Sequence, residues 1–395
     1  MKIKLKRTEL RRALSTIGWA GAHIPNNSSE WLCLTTGIGY LTLEHNMQEA
    51  AFQTQVPAEC TCGIKVLLPK RLRHIVSRIK TDNVLMEFSE GTVTLSGGNA
   101  KFTIKTKTAA EYPQYSDYEI DDSGIEIAPE LFRKAIRATT FAARKSTNTS
   151  SVLQCVSISI QEKQIVFLAA DGARIARFTI DLETQTQYRQ ASFLLRPHLL
   201  ERLRRSSTKT PVRIAIKPNN HLVFALSEKT RAAVPTEQGT YPTLDKVITS
   251  TNQDHEQALS MTMRRTDFDS ILSQTAVVAS HEHRVLHLHT NDNCLYAEIQ
   301  TPEIGYASSS LKLNTMNRKV SVTVDVVLLK EALSALRWQE HICLSMIDNS
   351  NPLKISTGHW EFFLMTFADN TQQRHSYTDS LGFYQPPIQS LAKRN

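Results

Sequence analysis

The stretch LKRTELRRAL at residues 5–14 recurs as IAPELFRKAI at residues 127–136 and as MRRTDFDSIL at residues 263–272. In each copy an apolar residue ends a stretch of alternating polarity, a polar turn follows, and apolar residues then recur at helical spacing. Each copy therefore predicts a β-strand that leads directly into an amphipathic helix.

A second helix pattern also occurs three times, as PKRLRHIV at residues 69–76, PHLLERL at 197–203 and VLLKEAL at 327–333. The segments between the helices alternate apolar and polar residues, as VLMEF does at residues 84–88, which is typical of β-strands. We interpret the repetition as three similar α+β units. The alternative is three ordinary α+β domains whose amphipathic helices merely look alike.

Two of the units end alike, since Tyr112-Pro113 and Tyr241-Pro242 are each followed by a polar, extended segment that resembles an interdomain linker. These endings predict where the domains divide. The predicted domains are residues 1–120, residues 121–250 and residues 251–368, followed by a C-terminal extension at residues 369–395.

The composition is that of an ordinary globular protein, with 41% hydrophobic and 21% charged residues. No apolar run approaches the roughly 18 residues needed to span a bilayer, and the opening MKIKLKRTEL lacks the apolar stretch of a secretory signal. We therefore expect a cytoplasmic protein with no membrane partner. The 46 Lys and Arg against 38 Asp and Glu give a formal net charge of +8, which favours a polyanionic partner, nucleic acid first.

The segment AADGARIA at residues 169–176 resembles the T-D-G-H-R-L-A motif of the bacterial DNA polymerase III beta subunit family, the sliding clamps. Tyr241-Pro242, the opening MKIK and LLKEALSAL at residues 328–336 fit the same family, and the resemblance runs to about residue 367. It implies an α+β fold of three repeated DNA-clamp domains, each with antiparallel sheets and two helices that line the hole of a closed ring.

The same resemblance implies a head-to-tail homodimer that encircles double-stranded DNA without sequence preference. It also implies that the DNA polymerase and the clamp loader bind this ring through short peptide motifs. A protein of this kind is a processivity factor and not an enzyme, and it needs no cofactor and no metal.

Some features depart from the family pattern. Ala173 stands where the family has a histidine, and LMTF at residues 364–367 replaces its Met-Pro-Met-Arg ending. The chain continues to residue 395 where members usually stop, and its net charge is positive where most members are acidic. These departures leave the expected fold intact, but the partner specificity and the host replicase stay open.

A clamp that slides needs cationic contacts directed at phosphate rather than at bases. The repeated helices carry cations in all three units, which favours DNA binding over the alternative of an ordinary solvated helix face. The predicted DNA-binding residues are Arg7, Arg11, Lys70, Arg73, Arg133, Arg137, Arg144, Lys145, Arg202, Arg205 and Arg264.

The family resemblance also implies a groove in which replication proteins insert a short peptide. An apolar groove rimmed by Arg174 and Lys246 suits a peptide with one or two large hydrophobic anchors and a polar lead. The alternative for each groove residue is core packing. The matching positions are Leu153, Gly172, Arg174, Ile175, Pro242, Lys246, Val247, Leu364 and Met365.

The dimer interface is likewise carried over from the family. It would pair the strand around Phe102 and Ile104 of one protomer with the edge near Val278 and Ala279 of the other. Closing the ring in this way removes sheet edges that a free protomer would expose. The charged pairs expected at its rim join Lys101 and Lys105 to Glu298 and Glu303.

The extension contains SLGFY at residues 380–384, which places two apolar anchors on a polar segment. One hypothesis is that this attached peptide occupies the groove and is displaced by tighter ligands. A flexible or separately docked tail is the alternative.

The run HEHRVLHLH at residues 281–289 is the one metal-like pattern in the sequence. On a strand, His281 and His283 would share a face, as would His287 and His289, so a zinc site is geometrically possible. A histidine-rich surface strand is the preferred interpretation, because no set of carboxylates or thiolates accompanies the run.

Two other functions stay open. One is a metal-dependent hydrolase that uses the His281–His289 run, and metal analysis of the protein would test it. The other is a basic nucleic-acid-binding regulator, built from repeats, that acts as an open monomer. Native mass separates that regulator from a clamp, because a clamp requires a dimer.

Overall fold

A computed structural model of the chain describes residues 1–18, 30–47, 50–61, 63–110, 112, 118–120, 124–145, 151–183, 190–218, 221–244, 247–248, 258–313 and 318–367. The chain forms two compact units. The first consists of Met1–Arg133, Thr184–Gln187 and His198–Thr236, and the second of Lys134–Glu183, Tyr188–Pro197 and Glu237–Asn395. The boundary between the units falls within the predicted middle domain, and the three-domain division stays a prediction.

Strands dominate both units. The strands are β1 Lys2–Lys6, β2 Trp31–Thr36, β3 Tyr40–Met47, β4 Ala50–Pro57, β5 Lys65–Pro69, β6 Asn83–Ser89, β7 Thr92–Gly97, β8 Ala100–Lys105, β9 Lys107–Thr108, β10 Ile125–Ile127, β11 Val156–Gln161, β12 Gln164–Ala170, β13 Arg174–Asp181, β14 Gln190–Leu195, β15 Val212–Lys217, β16 His221–Ala225, β17 Thr230–Pro235, β18 Leu259–Arg264, β19 Val285–Asn291, β20 Cys294–Thr301, β21 Gly305–Lys312, β22 Ser321–Asp325, β23 His341–Met346, β24 Leu353–Thr357 and β25 Trp360–Leu364.

Helices follow strands at the six positions that the repeated patterns predict. The helices are α1 Arg7–Gly18, α2 Leu72–Arg78, α3 Pro129–Thr140, α4 Pro197–Ser206, α5 Arg265–Thr275 and α6 Val326–Ala335. Each lies a few residues or fewer after a strand, namely β1, β5, β10, β14, β18 and β22 in turn. The prediction of a strand leading into a helix is therefore confirmed at every copy.

The first unit contains a four-stranded sheet in the order β1-β6-β7-β8 and a nine-stranded sheet in the order β10-β15-β16-β17-β4-β3-β2-β5-β9. The second unit contains an eight-stranded sheet in the order β14-β11-β12-β13-β25-β24-β23-β18 and a four-stranded sheet in the order β21-β20-β19-β22. Neighbouring strands run antiparallel, as in β1 with β6 and β13 with β25. The predicted α+β class with antiparallel sheets is confirmed.

Burial follows the periodicity of the sequence. On α1 the side chains of Leu10, Leu14 and Ile17 are fully buried, whereas Arg11 and Arg12 are exposed. The apolar face of each helix packs on the sheets, and burial of such side chains supplies most of the stability of a helix this short. Among the described residues, none of the helices is long and apolar enough to cross a lipid bilayer.

Candidate partner groove, DNA surface and dimer edges

An apolar cluster in the second unit unites residues that are far apart in the sequence. We call this set the groove cluster. It consists of Leu153, Ala170, Ile175, Leu244, Val247, Ile248 and Phe363, with Leu168, Tyr241 and Met365 packed against it. Four of the predicted groove residues, Leu153, Ile175, Val247 and Met365, thus lie together. Lys246 lies outside the described residues, and so does the segment SLGFY at residues 380–384.

The turn before β13 sets the position of Ile175. One carboxylate oxygen of Asp171 accepts hydrogen bonds from the backbone N–H groups of Ala173, at 3.0 Å, and Arg174, at 3.1 Å. Gly172 has a φ of 104°, where side chains are strained, so a glycine suits this position. Asp171 is therefore a turn residue whose carboxylate holds the start of β13.

Strand β25 closes this end of the sheet. Residues 174 and 175 of β13 face Leu364 and Phe363 in the antiparallel register. The N–H of Met365 then donates to the carbonyl oxygen of Ala173 at 2.9 Å. The side chain of Leu364 is fully buried, so core packing, the alternative stated for it, describes its side chain.

Tyr241 anchors the segment that follows β17. Its hydroxyl oxygen accepts a hydrogen bond from the N–H of Ala170 at 2.8 Å. In the first unit Tyr112, the tyrosine of the other Tyr-Pro pair, accepts from the N–H of Asn46 at 2.6 Å. Burial raises the pKa of both phenols. The two endings that look alike in sequence therefore make the same contact.

Arg174 does not rim a groove as the sequence predicts. Its side chain is only 2% exposed. Its guanidinium donates to the Asp171 carboxylate at 2.9 Å, to the Glu331 carboxylate at 2.5 Å and to the carbonyl oxygen of Phe141 at 2.8 Å. The prediction missed this because Glu331 lies 157 residues away in the chain, and local spacing cannot reveal such a pair.

The predicted DNA-binding cations differ in exposure. Those that are fully exposed are Arg11, Lys145, Arg205 and Arg264. Those that are half-buried are Arg7, Lys70, Arg73, Arg133, Arg137 and Arg144. Burial lowers the pKa of Lys70. Arg133 donates to the carbonyl oxygen of Thr208 at 2.5 Å, and the guanidinium of Arg137 lies 5.8 Å from the ring centroid of Trp338.

Two cations lie at positions where they do not stabilise the helix that follows them. Arg71 is the residue that precedes α2, and Arg264 precedes α5, and neither caps the helix with its side chain. A cation at a helix N-terminus is disfavoured by the helix dipole, by roughly 0.3–1 kcal/mol. An external anion would explain these residues better than helix stability does.

Arg202 must be removed from the DNA-binding set. It is 6% exposed, its guanidinium donates to the carbonyl oxygen of Ile17, and it lies 3.9 Å from the ring centroid of Phe52. Burial lowers its pKa to about 9. The sequence suggested an exposed cation because Arg202 sits among other cations on α4, but it faces the core between two buried leucines, Leu199 and Leu203.

Two strands stand at the ends of their sheets. Strand β8 ends the four-stranded sheet of the first unit, and strand β21 ends the four-stranded sheet of the second. Phe102 and Ile104 lie on β8 and are half-buried, whereas Lys101 and Lys105 are exposed. The predicted first edge is therefore a sheet edge.

The second predicted edge needs a correction. Val278 lies at the end of the 3-10 turn Ala276–Val278, and Ala279 follows it, so neither belongs to a strand. The edge strand of that sheet is β21, which the serine-rich sequence GYASSSLK marks only weakly. Glu298 on β20 accepts hydrogen bonds from the hydroxyl groups of Tyr306, at 2.7 Å, and Ser308, at 3.2 Å.

The histidine run does not gather around one point. His289 stacks on Tyr296 with 5.1 Å between ring centroids, and His287 is 3.2 Å from the hydroxyl of Thr323. Among the described residues, the group able to approach one ion is Glu282, His283 and Glu303, whose ligand atoms lie within 4.8 Å of one another. It includes a single histidine of the run, so the two-by-two arrangement is not formed.

Comparison with known proteins agrees with this fold. A family model described as the central domain of the DNA polymerase III beta subunit matches residues 126–243. The chain is 22% identical over 372 residues to the beta sliding clamp of Synechococcus elongatus, which covers 90% of this chain and 95% of that protein. The chain is therefore similar to beta sliding clamps over most of its length.

Other beta sliding clamps resemble the chain to a similar degree. The clamp of Haemophilus influenzae is 23% identical over 304 residues, which is 75% of this chain and 79% of that one. The crystal structure of the DNA polymerase sliding clamp from Bacillus subtilis has a TM-score of 0.83 at 16% identity and covers 94% of this chain and all of its own. A clamp from Pseudomonas aeruginosa, crystallised with griselimycin, has a TM-score of 0.82.

Proposed function

We propose that this protein is a DNA sliding clamp, a non-catalytic processivity subunit that encircles duplex DNA and tethers a replicative polymerase to it. The observation that carries the proposal is the likeness to beta sliding clamps along nearly the whole described fold. The repeated helices supply cations, and two strands offer free edges for a second copy. As a replication protein it would act in the cytoplasm.

DNA would contact the exposed cations first. Arg11 on α1, Arg205 on α4 and Arg264 before α5 are fully exposed and come from different repeats. Contacts of this kind are directed at phosphate and carry no sequence information, which suits a protein that must slide. The half-buried cations of the predicted set would add to the same field, and Arg202 would not.

The homodimer would form by pairing β8 of one protomer with β21 of the other, head to tail. Such pairing satisfies the free backbone groups of both strands. Lys101 and Lys105 on β8 would lie beside Glu298, which accepts two hydrogen bonds, and Glu303, which lies 3.7 Å from His283. Rim pairs of this kind orient the partners more than they add affinity.

The groove cluster would bind the short peptide motifs of the polymerase and the clamp loader. Met365, Leu168 and Tyr241 are half-buried and pack against its buried members, so they are the side chains that a peptide would reach. A peptide with one or two large apolar anchors would gain most of its affinity there. The basic, monomeric regulator stays the competing function, while no contact in the described residues favours the hydrolase.

Retention on DNA of two topologies tests the proposal. The protein, loaded on nicked circular duplex with a clamp loader, should stay bound during gel filtration, and cutting the circle once should release it. The matched control is the same DNA cut before loading. Equal retention on circular and linear DNA would show attachment by affinity rather than by a closed ring, and a native mass equal to the 44.5 kDa chain would favour the open monomer.

A further inference from the structure

Glu331 on α6 links two proposed binding regions, the groove and the DNA surface. One of its carboxylate oxygens accepts from Arg174 at 2.5 Å, and the other lies 3.8 Å from the ammonium of Lys145. Arg174 is buried and directly precedes Ile175 of the groove cluster, whereas the Lys145 side chain is 86% exposed and belongs to the proposed DNA surface.

Arg174 holds the turn that begins β13. Its guanidinium binds the Asp171 carboxylate, and that carboxylate accepts the N–H groups of Ala173 and Arg174. Ile175, the next residue, contributes its side chain to the groove cluster. Glu331 is therefore linked to the groove cluster through Arg174 and its chain neighbour Ile175.

The neighbouring cation of the DNA surface is tied to the same turn. The guanidinium of Arg144 donates to the carbonyl oxygen of Asp171 from two nitrogens, at 3.3 Å and 3.2 Å. Arg144 and Lys145 therefore both have protein partners, Asp171 and Glu331, that also hold Arg174. Arg144 is half-buried and donates twice to its partner, whereas Lys145 is exposed and 3.8 Å from Glu331, so Lys145 is the cation that a phosphate displaces.

We propose that Glu331 couples the DNA surface to the groove. It positions Arg174, and thereby the groove, and it loses its contact with Lys145 when this lysine binds a DNA phosphate. The inference rests on the proposed function, because it assumes that both surfaces bind their ligands. When phosphate attracts Lys145, Glu331 pairs with Arg174 alone and the Asp171–Arg174 turn is held more firmly. DNA and a groove peptide then bind cooperatively.

The contacts set the size of this coupling. An ion pair at 3.8 Å with an exposed lysine contributes little, so a phosphate displaces it readily. Coupling cannot exceed the free energy of the contact that is exchanged. We expect DNA to tighten peptide binding by about two- to five-fold, and the peptide to tighten DNA binding by the same factor.

Fluorescence anisotropy measures the coupling directly. The probes are a labelled short peptide with a polar lead and a Leu-Phe end, and a duplex of about 30 base pairs at saturating concentration and about 50 mM salt. The affinity of the wild-type dimer for the peptide is measured with and without the duplex. Lys145→Gln should bind the peptide without DNA as tightly as the DNA-bound wild type does, and should show no further response to DNA.

Glu331→Gln should weaken peptide binding and abolish the response to DNA. Its matched control is Glu361→Gln, which removes a carboxylate of the same unit that pairs with Arg177 and Lys354. The control for Lys145 is Lys163→Gln, an exposed lysine in the turn between β11 and β12. Both controls should keep the wild-type coupling factor, and thermal unfolding checks that every variant is folded.

The outcomes separate the inference from the function it rests on. If both ligands bind the wild type but the coupling factor is one, the inference is wrong and the clamp function stands. If DNA tightens peptide binding to Lys145→Gln as much as to the wild type, the proposed release of Lys145 from Glu331 is wrong. If the wild type binds neither the duplex nor the peptide, the proposed function is wrong and the inference with it.

Discussion

Two buried arginines illustrate how this chain keeps charge in its interior. Arg174 binds two carboxylates, those of Asp171 and Glu331, and a backbone carbonyl. Arg202 instead binds the carbonyl oxygen of Ile17, in the last turn of α1, and lies on the ring of Phe52. The end of a helix carries partial negative charge, and an aromatic face attracts cations, so both partly offset the cost of burial.

Replacement of Arg202 by methionine should therefore affect stability and not DNA binding. Methionine fills the space of the arginine stem but cannot donate to the Ile17 carbonyl, so we expect a decrease of about 1–3 kcal/mol in the free energy of unfolding. Urea denaturation measures this decrease. The salt dependence of DNA retention should stay that of the wild type. A smaller salt dependence would show that Arg202 does contact DNA.

The buried tyrosines make stability dependent on alkaline pH. Because burial raises the pKa of Tyr112 and Tyr241, the folded state binds these protons more tightly than the unfolded state does. Stability is then unaffected below the ordinary tyrosine pKa of about 10 and falls as the pH rises above it.

The double variant Tyr112→Phe and Tyr241→Phe should be less stable by about 1–2 kcal/mol near neutral pH, because two N–H groups are left without their acceptor. Between about pH 9 and pH 11 its stability should fall less steeply than that of the wild type. Denaturant midpoints across that range provide the measurement. Tyr40→Phe, at a tyrosine that is 40% exposed, controls for the removal of a tyrosine hydroxyl, and parallel curves for the wild type and the double variant would contradict the assignment.

Sequence predicted some residues of the site and not others, for physical reasons. Ile175 and Val247 were predicted by resemblance, and both lie in the groove cluster. Glu331 was missed because its partner lies across the fold. Arg202 was misassigned because it lies at the border of the apolar stripe of its helix. A residue at such a border can be buried or exposed, and the sequence does not distinguish the two.

Among the elements, the edge strands β8 and β21 are the features that most need a partner. Each ends its sheet, and each alternates half-buried and exposed residues along its length. Exposed apolar side chains lie at one end of β21, where Ile304 and Tyr306 are each 59% exposed. An unpaired edge of this kind is prone to aggregation unless another strand covers it.

Introducing charge on β8 should break the dimer. Phe102→Asp together with Ile104→Asp places two carboxylates where a second strand would pack, and we expect the native mass to halve to that of one chain. Sedimentation measures the mass. Ile38→Asp is the matched control, because Ile38 is 81% exposed in the turn between β2 and β3 and faces no proposed partner. An unchanged mass in the double variant would show that β8 is not part of the dimer interface.

The elements themselves were largely predictable, because helices and strands follow the periodicity of apolar residues. The two repeated patterns predicted six helices, three of them directly after a strand. Which strand forms a sheet edge was less visible, since that depends on the order of strands across the chain. The serines of β21 hid a strand, whereas the edge that the resemblance placed near Val278 and Ala279 is a 3-10 turn and the residue after it.

On the scale of the whole molecule, the effect of the net charge of +8 depends on where the cations lie. Cations that stand before α2 and α5 oppose the dipoles of their own helices, and Arg11, Arg205 and Arg264 project into solvent. A polyanion that contacts several of them at once releases its bound counterions, and this release dominates the affinity. Electrostatic attraction would then retain the clamp without fixing its position along the duplex.

Removal of these three exposed cations should weaken DNA binding in a way that salt reveals. For the triple variant Arg11→Gln, Arg205→Gln and Arg264→Gln, the plot of log affinity against log salt should become less steep by about one unit for each phosphate that is no longer neutralised. The measurement is duplex binding between about 50 and 200 mM salt, with two unrelated sequences, which should give the same slope. The control is Lys163→Gln with Lys229→Gln, two exposed lysines in hairpin turns, which should leave the slope unchanged. An equal decrease of slope in the triple variant and the control would mean that DNA is attracted by total charge and not by the helices of the repeats.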